Sequence, residues 1–583
     1  MRSSVIWAAL SLCVPVALPA QAQIPAGPPE AATGREEKHA AAARRFMVVT
    51  ANPHATQAGV EVLRAGGNAV DAAIAVQMVL GLVEPQSSGI GGGAFLLHWS
   101  RAERRVRAFD GRETAPRAAR PDRFLDAARK PLAHGDAVAG GRSVGVPGAL
   151  RMLQLVHRRH GRLPWAMLFR PAIRLADSGF AMSPRLNRLL EQESALRNDP
   201  HARRLFYRDH DRARPVGERI VNTAYAATLH AIARIGADAF YSGAIAEDIV
   251  RAVRGHSKPG DLALEDLADY AALERAPVCG PYRGYRICSM GPPSAGGIAV
   301  LQVLGILERT AFGSAAPNSA DAVHYFSEAG RLAYADRARH IADPAFVPQS
   351  VAGLLDAAYL DERARLIGGR SMGRALPGAP RLAQAALGEA AETEHAGTSH
   401  VSIVDGRGDA VAMTTTIEDA FGSRIMVRGF LLNNQLTDFA FVPERDGRPV
   451  ANRVEPGKRP RSSMAPTLVF DAARGLRLVA GSPGGPAIIN YLAKVLVATL
   501  DWKLDAQAAA SLPNFGSRNG PTEIERGTVY ELLSPELRER GHDVRTIDLT
   551  SGLHLIEKVP GGWRGGADPR REGVARGEQS VSH

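Results

Sequence analysis

Residues 397–423 read GTSHVSIVDGRGDAVAMTTTIEDAFGS, and this stretch decides the predicted fold. It contains two strand-like runs, SHVSIV and AVAMTTT, separated by a segment rich in Asp and Gly. Short alternating runs are typical of β-strands, and Asp and Gly are typical of the turn that joins two strands. We therefore expect an antiparallel hairpin with its turn at 405–409.

The register of this hairpin places two threonines together. Paired residues in an antiparallel hairpin keep a constant sum of their numbers, so if Val404 lies opposite Ala410, Thr398 lies opposite Thr416. Side chains directly opposite share a face, with Cβ atoms about 5 Å apart. Two hydroxyls would meet beside Gly397, although the hairpin alone favours an ordinary Thr-rich strand, because Thr is common in strands.

The hairpin follows a segment with little regular structure of its own. Residues 368–397 are rich in Gly, Pro and Ala without sustained periodicity, which predicts a loop that runs straight into the sheet. Helices are expected earlier, around 54–67 and 68–85, the second capped by Asn68. The sequence therefore contains both helical regions and strands, as an α+β protein does.

Several common active-site motifs are missing from the sequence. It has no Gly-x-Ser-x-Gly, no phosphate-binding Gly-Lys-Ser/Thr, no His-Glu-x-x-His and no Cys/His cluster at metal spacing. The glycine run at 89–93 precedes the strand-like FLLHW instead of opening a helix, so we interpret it as a tight turn or close backbone packing. No cofactor and no metal are expected.

The termini and the composition bound the class of protein. Of 583 residues, 45% are hydrophobic, which suits large packed cores. Residues 1–22 have the pattern of a cleaved signal peptide ending in Ala-Gln-Ala, with a short membrane anchor as the alternative, and 23–45 look like a linker. Beyond about Arg571 the tail is polar and is expected to be frayed. We expect a periplasmic or secreted protein without a membrane span.

The charge and the cysteines add little to the functional interpretation. The net charge of +11 is spread along the chain, whereas nucleic-acid-binding proteins usually concentrate basic residues on one surface. We therefore expect no nucleic-acid partner. Cys279 and Cys288 flank a predicted turn and could pair if the protein is exported, but their spacing leaves this open.

Six motifs in order carry a resemblance to a known family. They are GIGGGAF, DGRETAP, GTSHVSIVD, FLLNNQLTDF, GKRPRSSMAPT and GSPGG. In this order, from about Val48 to Pro569, the sequence resembles the γ-glutamyltransferase (γ-glutamyl transpeptidase) family, whose members cut themselves just before a threonine. The resemblance implies a four-layer αββα N-terminal-nucleophile hydrolase sandwich, made of two interlocked subunits from one precursor.

The resemblance also implies roles for individual residues. Cleavage between Gly397 and Thr398 would give a large subunit ending at 397 and a small catalytic subunit of 398–583. Thr398 would be the nucleophile, oriented by Thr416. An N-terminal threonine carries its own base, because an α-amino group titrates near ~7.7, which suits the absence of a Ser-His-Asp arrangement.

The remaining predicted site residues bind the reacting groups. The amides of Gly484 and Gly485, at the start of a predicted helix, would form the oxyanion hole. A γ-glutamyl group carries an α-carboxylate and an α-ammonium. By resemblance, the carboxylate is bound by Arg112, Ser462 and Ser463, and the ammonium by Glu418, Gln435 and Asp438.

Two departures from the family affect specificity. Glu418 is Asn in some members, but a carboxylate still accepts from an ammonium. The segment 439–458 is shorter than the lid of some members and has no Tyr, so we predict an open site in which hydrolysis at least competes with transpeptidation. The expected partners are glutathione and related γ-glutamyl compounds, with water or amines as acceptors.

Two alternatives remain at this point. A glutaryl-type β-lactam (cephalosporin) acylase would share the nucleophile and oxyanion donors without needing the ammonium site. An uncleaved periplasmic binding protein would keep an amino-acid pocket without chemistry. Glu418, Gln435 and Asp438 favour a γ-glutamyl substrate over the first, and the paired Thr398 and Thr416 argue against the second.

Overall fold

The computed structural model of the protein describes residues 34–381, 387–390 and 397–578. The predicted signal peptide at 1–22 and the first part of the predicted linker lie outside these residues. Within the described part of the chain, no helix is both long and apolar enough to cross a membrane.

The helices are distributed over the whole described chain. They are α1 (Pro53–Arg64), α2 (Ala69–Val83), α3 (His134–Val138), α4 (Ala149–His160), α5 (Arg170–Ser178), α6 (Pro184–Gln192), α7 (Pro200–Phe206), α8 (Thr223–Ile235), α9 (Asp238–Tyr241), α10 (Gly243–Gly255), α11 (Leu264–Ala268), α12 (Gly296–Leu307), α13 (Ala320–His340), α14 (Val351–Leu354), α15 (Ala357–Ala364), α16 (Ile488–Leu500), α17 (Ala506–Ser511) and α18 (Ser534–Glu539).

The strands also come from both halves of the chain. They are β1 (Ala41–Ala43), β2 (Met47–Thr50), β3 (Gly93–Ser100), β4 (Arg105–Gly111), β5 (Phe180–Ala181), β6 (Arg219–Ile220), β7 (Leu273–Arg275), β8 (Val278–Tyr282), β9 (Tyr285–Ser289), β10 (Thr398–Val404), β11 (Ala410–Thr416), β12 (Met426–Val427), β13 (Phe430–Leu431), β14 (Glu444–Arg445), β15 (Arg448–Pro449), β16 (Thr467–Phe470), β17 (Leu476–Gly481), β18 (Phe515–Ser517), β19 (Thr522–Glu525), β20 (Val544–Ile547), β21 (His554–Val559), β22 (Gly562–Ala567) and β23 (Val574–Gly577).

Two seven-stranded antiparallel sheets form the centre of the molecule. Sheet 1 has the order β23-β2-β10-β11-β3-β4-β7, and sheet 2 has the order β1-β22-β21-β17-β16-β9-β8. Each sheet combines strands from before Gly397 with strands from after it. A cut at that position would therefore leave two fragments that share both sheets.

Helices cover the outer face of each sheet and complete four layers. Val401 and Ile403 of β10 face the core that contains α1 and α2. Val404 of the same strand points the other way, into the core shared with sheet 2 and with α12, α13 and α16. This alternation follows from the two-residue period of a strand. The predicted four-layer αββα architecture is confirmed.

The predicted hairpin register is also confirmed. β10 pairs with β11 so that Thr398 lies opposite Thr416 and Val404 opposite Ala410. The predicted cap is present as well, since the Asn68 side chain accepts from the Asp71 N–H while the Asp71 carboxylate accepts from the Asn68 N–H. This reciprocal pair satisfies two amides at the start of α2.

The prediction of a frayed tail beyond Arg571 is wrong for the described residues. Val574–Gly577 form strand β23, which pairs with β2 at the edge of sheet 1. The Glu578 carboxylate then accepts from the backbone N–H groups of Arg44 and Arg45, at 2.7 and 2.6 Å. The polar sequence hid this strand because an edge strand needs few apolar side chains.

The linker prediction is wrong at its end for a similar reason. Ala41–Ala43 form strand β1, which pairs with β22 in sheet 2.

Cys279 and Cys288 lie directly opposite each other in β8 and β9 and form a disulfide. The pairing that the sequence left open is thus present, and it lies entirely within the part of the chain before Gly397.

Candidate active site

The two threonines lie at one end of sheet 1. Thr398 is the first residue of β10 and Thr416 is the last residue of β11, and each side chain is 3% exposed. The Thr398 hydroxyl donates to the Thr416 hydroxyl at 3.4 Å. The register alone therefore brings two buried hydroxyl groups together beside the peptide bond between Gly397 and Thr398.

Thr416 connects this peptide bond to the next turn of the chain. Its hydroxyl donates to the Gly397 carbonyl at 2.6 Å and accepts from the Glu418 N–H at 2.8 Å. Glu418 reaches this position with φ of 82°, a left-handed conformation that is uncommon outside glycine. The Gly397 carbonyl is thus held and polarised next to the Thr398 hydroxyl.

The glycine run at 89–93 packs closely against this point. The sequence predicted a tight turn or close backbone packing for the run, but not its partner. Gly93 pairs with Thr416 between β3 and β11. A Cβ on Gly92 would lie 2.1 Å from the Thr416 carbonyl oxygen, and one on Gly93 would lie 2.2 Å from the Glu113 carboxyl. Only glycine leaves room for this close approach of two backbones.

A small cavity brings the predicted site residues together. It is lined by Arg112, Thr398, Thr416, Glu418, Gln435, Asp438, Ser462, Ser463, Met464, Gly485 and Ile488. The sequence analysis missed Met464 and Ile488, which are apolar and have no motif to mark them. The space open to water is about 20 Å³, so the uncut chain has room for one or two water molecules but not for a glutamyl group.

Arg112 and Asp438 bind each other in this closed site. The Arg112 guanidinium donates to the Asp438 carboxylate at 2.5 Å and to the Arg461 carbonyl at 2.7 Å. Gln435 also donates to Asp438, at 2.6 Å. The sequence prediction assigned Arg112 and Asp438 to opposite charges of one ligand, and in the uncut chain they neutralise each other.

The predicted ammonium-binding residues are held by a buried amide network. The Asn434 side-chain N–H₂ donates to the Glu418 carboxylate and, at 3.0 Å, to Thr437. The Asn434 side-chain oxygen accepts from the Asp419 N–H at 3.0 Å. Asn434 was not predicted as a site residue, although the paired Asn-Asn of FLLNNQLTDF was a visible signal.

Helix α13 contacts two further parts of the site, the loop at Ser463 and the turn at Pro486. The Arg337 guanidinium donates to the Ser463 hydroxyl at 2.9 Å. The Tyr334 hydroxyl donates to the Pro486 carbonyl at 2.5 Å. Both side chains are buried, and neither belongs to a motif near the site in sequence.

The predicted oxyanion donors lie in a tight turn after β17. Gly484 and Gly485 have φ of +136° and +55°, and a 3₁₀ turn at Gly485–Ala487 leads into α16. A side chain at Gly484 would lie 2.6 Å from the Tyr491 ring. Gly485 lines the cavity. Pro486 falls within the 3₁₀ turn, so the regular helix begins slightly later than predicted.

Among the described residues, the neighbouring His400 does not serve as a base for Thr398. The nearby His400 ring bonds to Thr414 at 2.8 Å and to Ser402 at 3.1 Å. Burial, with His554 nearby, holds the pKa of His400 well below its usual range, so the ring is neutral. Its packing against Gly481 is structural.

One cluster among the described residues has ligand types that metals use. His324, Glu328 and His542 have ligand atoms within 4.8 Å of one another. The two rings bond directly to each other at 2.8 Å, His324 also bonds to the Gly368 carbonyl, and His542 to Thr522. Arg331 pairs with Glu328. These contacts make the cluster a satisfied hydrogen-bond network that needs no ion.

Glu113 is a buried carboxyl group directly behind the site. Neither of its oxygens has a hydrogen-bond partner among the described residues, and the nearest cation is the Arg112 guanidinium at 4.0 Å. Burial raises the pKa of Glu113 to about 8, although Arg112 lowers it. Glu113 is therefore protonated at neutral pH, and Arg112 keeps its charge for Asp438 or a ligand.

Comparisons with known proteins agree with this geometry. The family model described as gamma-glutamyltranspeptidase matches residues 55–578. A glutathione hydrolase proenzyme of Escherichia coli (strain K12) is 35% identical over 94% of this chain and 95% of the relative. An acylase ACY 1 proenzyme of Pseudomonas sp. (strain SE83) is 36% identical over 91% of this chain and 93% of the relative.

A solved structure has the same fold over almost the whole length. The cephalosporin acylase from Bacillus halodurans superposes with a TM-score of 0.80 at 27% identity, covering 97% of this chain and 99% of that one. The paired threonines, the glycine-rich turn and the polar cavity thus occur in a chain matched by the family model from near its N-terminus to near its C-terminus. The chain belongs to the γ-glutamyltranspeptidase family.

Proposed function

We propose that this enzyme is a γ-glutamyl hydrolase and transpeptidase that uses Thr398 as its nucleophile after cutting itself between Gly397 and Thr398. The observation that carries the proposal is the position of the Thr398 hydroxyl. It lies in a cavity lined by one arginine, two serines and two carboxylates, beside a Gly397 carbonyl that Thr416 already polarises.

The proposed cleavage needs no group from outside the site except water. The Thr398 oxygen attacks the Gly397 carbonyl carbon, and the carbonyl oxygen takes up the developing charge beside the Thr416 hydroxyl. The Thr398 hydroxyl proton passes to the Thr398 nitrogen as the C–N bond breaks and an ester forms. Water then hydrolyses the ester, giving a Gly397 carboxylate and a free Thr398 amine.

The two products are proposed to remain a heterodimer. Strands β2, β3, β4 and β7 precede the cut, and they surround β10 and β11 in sheet 1. In sheet 2, β8 and β9 are paired with β16, which follows the cut. Separating the fragments would expose the edges and cores of both sheets.

The proposed catalytic cycle repeats the same chemistry on a substrate. The free amine of Thr398 takes the hydroxyl proton, and the hydroxyl oxygen attacks the γ-carbonyl carbon. The amides of Gly484 and Gly485 stabilise the oxyanion, the leaving amine takes the proton, and a γ-glutamyl ester remains on Thr398. Water or an amine then resolves the ester.

Substrate binding is proposed to divide the Arg112–Asp438 pair. The substrate α-carboxylate would bind Arg112, Ser462 and Ser463, while its ammonium would bind Asp438, Gln435 and Glu418. Because the pair is buried and closed in the uncut chain, cleavage must first enlarge the cavity. Each of the two side chains then exchanges one buried partner for another, which avoids leaving a charge unpaired.

We propose glutathione and related γ-glutamyl compounds as substrates of an exported, periplasmic or secreted enzyme. The relatives named glutathione hydrolase support the substrate class. The open site predicted from the short segment 439–458 stays a prediction for the cut enzyme, since the cavity of the uncut chain is too small for a substrate. Hydrolysis is expected to at least equal transpeptidation at modest acceptor concentrations near neutral pH.

The second candidate is a glutaryl-type β-lactam acylase, favoured by the likeness to the two acylases. A glutaryl group has a carboxylate for Arg112 but no ammonium. In that case Asp438 and Glu418 would face an apolar part of the ligand, which is costly for buried carboxylates. Relative rates on γ-glutamyl and glutaryl anilides separate the two candidates.

Intact-mass analysis of the purified protein beside Thr398→Ala tests the proposal. We expect wild type to give two fragments, the smaller beginning at Thr398, and to release the aniline from γ-glutamyl anilide. The variant should remain one chain without activity, because it lacks the attacking oxygen. A wild-type chain that stays whole and inactive would contradict the proposal and favour the binding-protein hypothesis.

A further inference from the structure

Asn433 is a fully buried residue whose side chain connects three loops around the cavity. Its side-chain NH₂ group donates to the carbonyl oxygens of Gly91 and Gly145, at 2.8 and 2.9 Å. Its side-chain oxygen accepts from the backbone N–H groups of Gly145 and Gln435, both at 3.0 Å. An asparagine side chain has two N–H donors and an oxygen that can accept two bonds, so this residue uses its full capacity.

Gly145 packs between the two loops that would bind the substrate charges. A Cβ there would lie 3.0 Å from the Glu113 side chain and 3.2 Å from the Leu436 side chain. Glu113 directly follows Arg112, which would bind the carboxylate, and Leu436 directly follows Gln435, which would bind the ammonium. The buried asparagine therefore fastens the two loops together at a point next to both charge-binding residues.

These two loops would belong to different subunits after the proposed cut. Arg112 precedes the cut, whereas Gln435 and Asp438 follow it. In the uncut chain, the direct bond from Arg112 to Asp438 at 2.5 Å also holds the loops together. Substrate binding is proposed to divide that pair, and the hydrogen bonds between Asn433 and Gly145 would then still join the two sides.

We propose that Asn433 is a positioning residue that fixes the spacing between Arg112 and the ammonium-binding residues, and so selects donors with both an α-carboxylate and an α-ammonium. This inference rests on the proposed function. Asn433 is not among the residues that line the cavity, so it acts through the loops it joins. A donor with both charges must match the spacing on both sides, whereas a donor with one charge can shift to follow a displaced loop.

Two anilide donors separate this role from a general structural one. Asn433→Ala should lower kcat/KM for γ-glutamyl anilide about 10- to 100-fold, the loss expected when a bound group is misplaced by about 1 Å. For glutaryl anilide, which has the carboxylate but no ammonium, the loss should stay within about 3-fold. The inhibition constants of L-glutamate and glutarate give the same comparison without turnover.

Asn514→Ala is the matched control. Asn514 is also fully buried, and its side chain donates to the Leu549 carbonyl and the Ser551 hydroxyl and accepts from Lys494, at 2.9, 2.8 and 2.9 Å. All four residues follow the proposed cut, and none lines the cavity. This variant should lose stability but keep the ratio of kcat/KM for the two donors within about 2-fold of wild type.

Gly145→Ala tests the same spacing without removing a hydrogen bond. The added methyl group would meet Glu113 and Leu436 at 3.0 and 3.2 Å, closer than ordinary van der Waals contact, so one of the loops must move. The preference for γ-glutamyl over glutaryl anilide should therefore fall in this variant too, by about 3-fold or more.

The outcomes separate the inference from the proposed function. Equal losses on both donors, or an unchanged preference in Asn433→Ala, would overturn the role of Asn433 while leaving Thr398 chemistry intact. If Asn433→Ala does not fold or cut itself, Gly145→Ala decides, because an unchanged preference in that variant also overturns the inference. A wild-type enzyme inactive on γ-glutamyl anilide would instead overturn the proposed function.

Discussion

Glu113, behind the site, has a pKa that burial moves into the range near neutral pH. Its pKa is raised to about 8 by burial, opposed by Arg112 and supported by Asp438 and Asp110. The folded state therefore keeps this proton to higher pH than the unfolded chain does. The stability that comes from this difference is fully present below about pH 4.5 and is lost as pH rises toward 8.

Glu113→Gln should remove this dependence. We expect the variant to equal wild type in stability near pH 5 and to exceed it near pH 9, by on the order of a few kcal/mol. Its KM for γ-glutamyl anilide should also rise less above pH 8 than that of wild type, because no anion competes for Arg112. Thermal unfolding and KM across pH 5–9 check both expectations.

The control for Glu113→Gln changes the same charge at an exposed position. Glu362 lies on the surface of α15, so Glu362→Gln should leave both pH profiles unchanged. If Glu113→Gln has the same pH profiles as wild type, Glu113 is ionised in the folded protein at neutral pH. In that case its buried carboxylate would need a partner other than Arg112.

For individual residues, the sequence predicted where a residue lies in the fold better than which other side chains it contacts. The constant sum of paired numbers placed Thr398 opposite Thr416, because a hairpin register depends only on local geometry. Arg337 and Tyr334 could not be found in this way, since they reach the site from a helix distant in sequence. The pairing of Arg112 with Asp438 was also missed, because a prediction based on ligand charges omits the unliganded state.

Among the elements, the turn that begins with Gly484 connects backbone conformation to catalysis. Gly484→Ala places a side chain at φ +136° and 2.6 Å from the Tyr491 ring, so the turn must shift. We expect kcat on γ-glutamyl anilide to fall about 10- to 100-fold with a smaller change in KM, because displaced amides stabilise the oxyanion less. Steady-state kinetics on the fully cut enzyme check this.

A glycine that also has positive φ, but in open surroundings, provides the control. Gly561 has φ of +79°, and a Cβ there would meet no atom within 4 Å. Gly561→Ala therefore carries the conformational cost without the clash, and its kcat should match that of wild type. Equal losses of kcat in both variants would contradict a specific role for the Gly484 turn.

Deletion of the C-terminal strand β23 is a second prediction at the level of secondary-structure elements. Removing residues 574–583 deletes β23 and the Glu578 carboxylate that caps the amides of Arg44 and Arg45. We expect the midpoint of thermal inactivation to fall, on the order of 5 °C, because β2 becomes an unpaired edge. Removing only 579–583 is the control, and an equal fall in both would contradict a role for the strand.

For the whole molecule, the two sheets make assembly depend on the uncut precursor. Fragments 23–397 and 398–583, produced separately and then mixed, should recover less than about 1% of wild-type γ-glutamyl anilide activity, because each lacks neighbours in both sheets. Activity after mixing, compared with the enzyme cut from its precursor, is the measurement. Full recovery would mean that each fragment folds alone.

The layered fold was predictable as a whole because the sequence features that indicate it, apolar periodicity and ordered motifs, occur along most of the chain. Buried helices such as α2 and strands such as β10, which are buried on both faces, have recognisable patterns of apolar residues. The six motifs occur in the same order as in the family. The ends of the chain were harder, since β1 and β23 are edge strands of small or polar residues. Such strands are held by backbone hydrogen bonds, which leave little trace in the sequence.

The disulfide between Cys279 and Cys288 has a practical consequence for producing the enzyme. It joins two neighbouring strands of one hairpin, upstream of the cut, and so does not hold the two fragments together. A protein made in a reducing cytoplasm, without the predicted signal peptide, would lack only this local disulfide. Recombinant expression inside the cell should therefore give self-processed enzyme, and reducing agents can remain in the purification buffer.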